Sequence, residues 1–220
     1  MNVLQLASIA LSYPDQEILD VREEFVHVVD GLPDSASRTW LRRFARWWAI
    51  EPANDLAHHY VEVFDMSRRT ALDLTYLTYG DRRQRGLALL ALKERYRDAG
   101  FELATSELPD HLPVILEYAA RTGADGVALL TEFRPQLEVL RLALVRAETP
   151  YAEVAEAICV WMPELTVDEA SEVRRLVAEG PPVEQVGLEP FAPPEVMPDS
   201  PRPLAPCGGA GAAPTVEAHR

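Results

Sequence analysis

Asp110 and His111 stand between Pro109 and Pro113 in the run Glu107-Leu108-Pro109-Asp110-His111-Leu112-Pro113. An acid beside an imidazole can move protons, ligate a metal or meet a charged peptide, and each task needs the side chains held in place. The prolines supply that hold. Each fixes its own φ, lacks an N–H and pushes the residue before it toward extended geometry, so Leu108 and Leu112 are poor helix-interior positions. The result is a stiff corner, and the rest of the chain has to decide among the three chemistries.

Catalysis finds little support. No serine or cysteine has a recognisable activating context, and adjacency in sequence does not bring the Asp110 and His111 side chains together. His58 and Glu62 lie four residues apart and could share a metal, but neither an HExxH pattern nor other ligands accompany them, and a solvated helix face explains the pair. No glycine-rich phosphate loop exists. Gly80-Asp81 followed by Arg82, Arg83 and Arg85 places arginines near a helix start, where an anion can bind. Capping and surface ion pairs explain the same residues more simply. Leu41-Arg42-Arg43-Phe44 resembles a twin-arginine export signal only superficially, because it is internal and no apolar run follows. Of the two cysteines, Cys159 lies in an apolar helix-like segment and Cys207 in a loose tail, so neither a disulfide framework nor a zinc site is supported.

Composition narrows the partners. The 220 residues are 48% hydrophobic, enough for a sizeable core, and carry a formal charge of −14. Such acidity repels phosphate backbones, which argues against nucleic acid. No basic n-region opens the chain and no apolar run reaches the ~20 residues of a membrane span, so a cytoplasmic protein without a direct membrane span is expected.

The elements that position the corner read as helices. Ile18, Val21, Phe25 and Val28 recur at helical spacing, as do Trp40, Leu41, Phe44, Trp47 and Trp48, and then Leu56, Tyr60, Val63 and Phe64. Leu72 to Tyr79 alternates like a strand but is read as helix, since one strand among helices would leave its backbone unpaired. Asp81 is the expected N-cap of a helix to about Ala99, closed by Gly100. Its apolar face, Ala88, Leu89, Leu92, Tyr96 and Ala99 widened by Leu87, Leu90 and Ala91, predicts a largely buried, central helix. Pro113 opens a helix through Ala120, with Asp110 as its candidate cap, and Pro135 should kink or split the next one. Thr149-Pro150 starts another, and Thr166 with Glu169 fits a capping box. The expected fold is all-α, a single bundle of roughly eight to ten helices over residues 1–179. Residues 180–220, rich in Pro and Gly, are expected to be a disordered tail.

Three blocks, Tyr60-Val61-Glu62-Val63-Phe64-Asp65, then Leu74 through Gly86, then Glu107 through Pro113 with Leu116-Glu117-Tyr118-Ala119, resemble the NarJ family in order and spacing. A helix followed by Tyr13-Pro14-Asp15 adds to the likeness, which covers about residues 1–180. These are cytoplasmic assembly chaperones of respiratory nitrate reductase, related to the TorD/DmsD group. The resemblance implies a non-enzymatic protein that binds the N-terminal segment of the nitrate reductase catalytic (alpha) subunit. It would keep that subunit competent for insertion of the molybdenum bis(guanine dinucleotide) cofactor and delay membrane docking. No cofactor would be held stably, and molybdenum cofactor biosynthesis proteins are further candidate partners. Carried over, the client-binding residues are Tyr60, Phe64, Asp65, Gly80, Asp81, Glu107, Pro109, Asp110, His111, Pro113, Glu117 and Tyr118. In physical terms an amphipathic client helix would set its apolar face on aromatic rings and its basic residues on the acids. A general helical adaptor for another peptide is the alternative, and an unrecognised hydrolase a distant third.

Overall fold

Helical periodicity is borne out along the chain. The computed structural model describes residues 2–103 and 107–182. In chain order its helices are α1 (Val3–Leu11), α2 (Gln16–Asp20), α3 (Arg22–Gly31), α4 (Ala36–Ile50), α5 (Ala53–Tyr60), a π-helical turn (Val61–Asp65), α6 (Leu74–Tyr79), α7 (Arg83–Asp98), α8 (Leu112–Thr122), α9 (Ala124–Glu132), α10 (Arg134–Arg146), α11 (Tyr151–Trp161) and α12 (Val167–Glu179). They outnumber the expected eight to ten because two expected segments break. The Ile18–Val28 stripe divides at Val21, and the stripe through Pro135 divides at Phe133, which leaves the proline in the first turn of α10. The tail beyond residue 182 lies outside the described residues.

Local sequence sets most helix starts. The side chains of Asn2, Asp15 and Ser35 each accept a backbone N–H of the helix that follows, and Thr166 with Glu169 forms the expected capping box. Asp81 does not cap α7, whose N-cap is Arg82 without a side-chain bond.

The centre is not where the widest apolar face predicted it. Helix α1, apolar almost all round, buries Leu4, Leu6, Ala7, Ala10 and Leu11 and packs on α8, α11 and α4. Helix α11 packs on α4 and α10 as well, and Tyr151 from it joins Phe25, Phe44 and Trp48 in one aromatic cluster. Cys159 packs against this core, where burial pushes its thiol up to about 12. In contrast α7 is peripheral. It packs chiefly on α6 and buries only Leu92 and Tyr96, while Leu87 and Leu90 face solvent. None of the described helices is long and apolar enough to cross a membrane.

Helices α8 and α9 turn about Gly123, at φ 64, and press together at Gly126, where a Cβ would stand 2.3 Å from the Ala119 Cα. Alanine would add ~1 kcal/mol of helix propensity there. Forcing two backbones apart costs ~1–3 kcal/mol, so the steric effect outweighs the gain. Gly126→Ala is expected to lower the urea unfolding midpoint at unchanged m-value. A raised midpoint would show that α8 and α9 have room to separate.

Candidate functional site

The corner is a turn. His111 N donates to Leu108 O at 3.0 Å, which places Pro109 at the position where its fixed φ suits a type I or II turn. Two backbone bonds then tie it to the start of α6: Leu74 N to Asp110 O at 3.1 Å and Leu112 N to Leu72 O at 2.9 Å. These make a single antiparallel bridge between Asp73 and His111. Of the strand-like run Leu72 to Tyr79 only Asp73 is bridged, and Leu74–Tyr79 is helical as expected. On the other side the Tyr96 hydroxyl donates to Pro109 O at 2.7 Å, and Ser8 Oγ donates to Pro113 O at 2.8 Å.

Asp110 is fully buried. Its Oδ2 accepts from Thr75 N at 3.2 Å and from the Thr75 hydroxyl, so it caps α6 across the chain and not, as expected, the helix that Pro113 opens. Arg85 Nη2 lies 3.5 Å from the same oxygen and 2.9 Å from Asp73 Oδ2, while Arg85 Nε donates to Thr75 Oγ1 at 3.3 Å. His111 Nδ1 sits 3.1 Å from Asp73 Oδ1, which makes His111 part of the brace. Burial raises the Asp110 carboxyl above its usual range, against the Thr75 hydrogen bonds and the Arg85 charge. Its Oδ1 has no hydrogen-bond partner among the described residues, which adds to the desolvation. Asp73 goes the other way: burial opposes ionisation, but the hydrogen bonds and charges of His111 and Arg85 hold it low.

Beside the corner lies a groove of about 570 Å³ between the α1–α2 connection, the segment after α7, and α8. Its rim carries Asp15, Glu17, Glu102, Glu107 and Glu117, and its walls include Tyr13, Phe101 and Tyr118. Among the described residues the one guanidinium lining it, Arg121, is bound to Glu117 at 2.9 Å. A larger groove of about 690 Å³ lies among the π-helical turn, α6, α10 and α12; Val63, Leu77, Val139, Leu142 and Leu176 give it apolar walls, and its charged residues are Glu62, Arg69 and Arg146.

The candidate residues divide between frame and rim. Glu107, Pro113, Glu117 and Tyr118 line the acidic groove. Tyr60 is buried beneath it, edge-on to Tyr13 at 5.4 Å with its hydroxyl on Leu11 O, and Phe64 packs on Tyr60 and Tyr151 within the core. Pro109, Asp110 and His111 form the corner beside the groove without lining it. Asp65 and Asp81 are exposed and line neither groove. Gly80 is a turn residue at φ 56, where a Cβ would stand 2.1 Å from Pro182 O. Glu17, Phe101 and Glu102 carry no motif in the sequence, and Tyr13 and Asp15 stand out there only through the Tyr13-Pro14-Asp15 opening of the family resemblance. No sequence signal links Thr75 and Arg85 to Asp110.

Asp110→Ala is expected to destabilise the fold by ~2–4 kcal/mol, since it strands the buried Thr75 N–H and hydroxyl and leaves Arg85 with Asp73 as its one carboxylate partner. A double-mutant cycle with Thr75→Val should show coupling of about 1 kcal/mol or more, whereas strict additivity would refute the cap. The pH dependence has a definite sign. A carboxyl raised in the folded state favours folding below its unfolded pKa and loses that contribution as pH rises through the folded value. Asp110→Asn lacks this titration, so it should cost more stability near about pH 4 than near about pH 8. An equal cost at both, in urea unfolding, would exclude a raised pKa.

Relatives place this architecture. The family model for the nitrate reductase delta subunit matches residues 30–165. The nitrate reductase-like protein NarX of Mycobacterium tuberculosis (strain ATCC 25618 / H37Rv) is 38% identical over 161 residues, which are 71% of this chain but 24% of that protein. This chain therefore spans about a quarter of that relative's length. The probable nitrate reductase molybdenum cofactor assembly chaperone NarJ of Bacillus subtilis (strain 168) is 30% identical over 75% of this chain and 90% of its own. The nitrate reductase molybdenum cofactor assembly chaperone NarJ of Escherichia coli (strain K12) is 33% identical over 69% of this chain and 66% of its own. Both NarJ relatives are named for assembly and not for catalysis, and the non-enzymatic reading of this chain agrees with them. With the model covering more than half its length, the chain belongs to the nitrate reductase delta subunit family, that of the NarJ chaperones.

Proposed function

We propose that this chain is a nitrate reductase assembly chaperone whose acidic groove holds the N-terminal segment of the catalytic alpha subunit. The observation that carries the reading is the groove's chemistry: five carboxylates against one already paired guanidinium, over the rings of Tyr13, Phe101 and Tyr118. That pattern suits a basic amphipathic helix, with apolar residues on the rings and cations on the rim. The net charge of −14 would steer such a segment inward. Held this way, the subunit stays open for insertion of its molybdenum bis(guanine dinucleotide) cofactor and is kept from docking at the membrane until that is done. The cofactor is cargo for the client, and proteins that synthesise it are the natural third party. Among the candidate residues, Glu107 and Glu117 make direct contact, joined by Tyr13, while the buried Tyr118 supports the wall behind them. Tyr60, Phe64, Pro109, Asp110, His111 and Pro113 shape the groove from behind.

Calorimetric titration with the alpha subunit's N-terminal peptide tests the assignment. Affinity should fall with added salt, by about three- to tenfold with Glu107→Gln or Glu117→Gln, and by about tenfold or more with Tyr13→Ala. His111→Gln should leave the affinity within about twofold, because that side chain is engaged by Asp73. Binding that ignores all of the groove substitutions would move the client elsewhere, and no binding at all would remove it.

A further inference from the structure

Helix α7 leaves two leucines in solvent. Leu87 and Leu90 are 64% and 54% exposed. Residues three, four and seven apart share a helix face, so these leucines lie in one stripe with Arg83 and Glu94, and Gly86 and Ala91 flank it, all exposed. The buried Leu92 and Tyr96 point the other way. The charges on α7 are unequally satisfied. Arg85 is taken by Asp73, and Arg95 by Asp125 and Glu132 at 3.0 and 2.7 Å. Arg83 and Glu94 have no ion-pair or hydrogen-bond partner among the described residues. Arg83 also stands in the first turn, where the helix dipole disfavours a cation and an anion from outside would be welcome.

We propose that this face pairs with itself in a second copy of the chain, α7 lying antiparallel to α7 across a twofold axis between Leu87 and Leu90. One axis satisfies every member of the stripe. Setting Leu87 against Leu90 of the second copy also sets Arg83 against its Glu94, and Gly86 against its Ala91. The twofold repeats each pair. Leucine meets leucine, each orphan guanidinium meets an orphan carboxylate, and the small residues fall together where the backbones must approach. This self-complementarity is what an isologous interface requires, and it favours a second copy over an unrelated partner. Size makes the dimer weak. A helix of 16 residues is about 24 Å long, and one such strip buries less than the ~1,200 Å² of a standard stable interface. The net charge of −14 on each copy opposes association further. The pair is therefore reversible and concentration-dependent. None of these side chains lines the acidic groove, so the surface stands independently of the proposed client site.

Sedimentation equilibrium of the full chain from about 1 μM to about 1 mM should show a monomer–dimer equilibrium. Leu87→Glu should leave monomer throughout. Arg83→Glu and Glu94→Arg should each raise the dissociation constant about tenfold, since either reversal spoils two pairs. The double variant Arg83→Glu/Glu94→Arg should return to within about threefold of the parent, because both pairs re-form with signs exchanged. Circular dichroism identical to the parent confirms that each variant is folded. A chain monomeric at every concentration, a dimer indifferent to Leu87→Glu, or a double variant no tighter than the singles would overturn the proposal.

Discussion

The buried carboxyl of Asp110 is the constraint on which the arrangement around the groove depends. A charge taken out of water costs several kcal/mol unless its lone pairs are met. Meeting those of Oδ2 recruits Thr75, 35 residues earlier, together with Arg85 from α7. One side chain thus fixes the corner to the start of α6 and to α7, and the two backbone bonds of the Asp73–His111 bridge lock the register. A network of this kind adds little net stability over an apolar substitute. What it gives is a single geometry, because few other placements satisfy Thr75, Arg85, Asp73 and His111 together.

Geometry passes from the corner to the groove. Glu107 lies on one side of the turn and Pro113 on the other, and α8 then carries Glu117 and Tyr118 along the same wall. The opposite wall rests on the hydroxyl of Tyr60, held by Leu11 O, with Tyr13 edge-on above it. The π-helical turn that follows Tyr60 keeps Phe64 in the core and leaves Asp65 outside. Aromatic-acid sequence blocks therefore divide by residue: rings brace, acids face water.

How much of this the sequence revealed follows from the range of the forces involved. Helix starts were legible because their causes are local, as with Thr166 and Glu169 or Pro113. The stiffness of the Pro109–Pro113 corner was legible for the same reason. Which way Asp110 faces was not, since its partners come from α6 and α7. The misreading of α7 is similar. A wide apolar face tells how much of a helix can be buried, while its neighbours determine how much is, and here they reach Leu92 and Tyr96 but leave Leu87 and Leu90 outside. The acidic groove was only partly legible, because its carboxylates converge from Asp15 and Glu17, from Glu102 and Glu107, and from Glu117.

Frame and rim use opposite electrostatics. At the corner, low dielectric makes each contact strong, short-ranged and intolerant of a missing partner. At the rim, Asp15, Glu17 and Glu102 face water, where a carboxylate attracts a cation weakly and over a Debye length of about 8–10 Å. Weak, additive attraction speeds encounter without fixing the partner in one pose, and the rings beneath provide adaptable apolar contact. Such a combination suits the proposed client, since it would capture a segment readily and still let it go, as holding a subunit for a limited time demands. A rim built like the corner would bind only one side-chain arrangement and release it slowly. The rigidity belongs behind the groove and the soft charges in front of it.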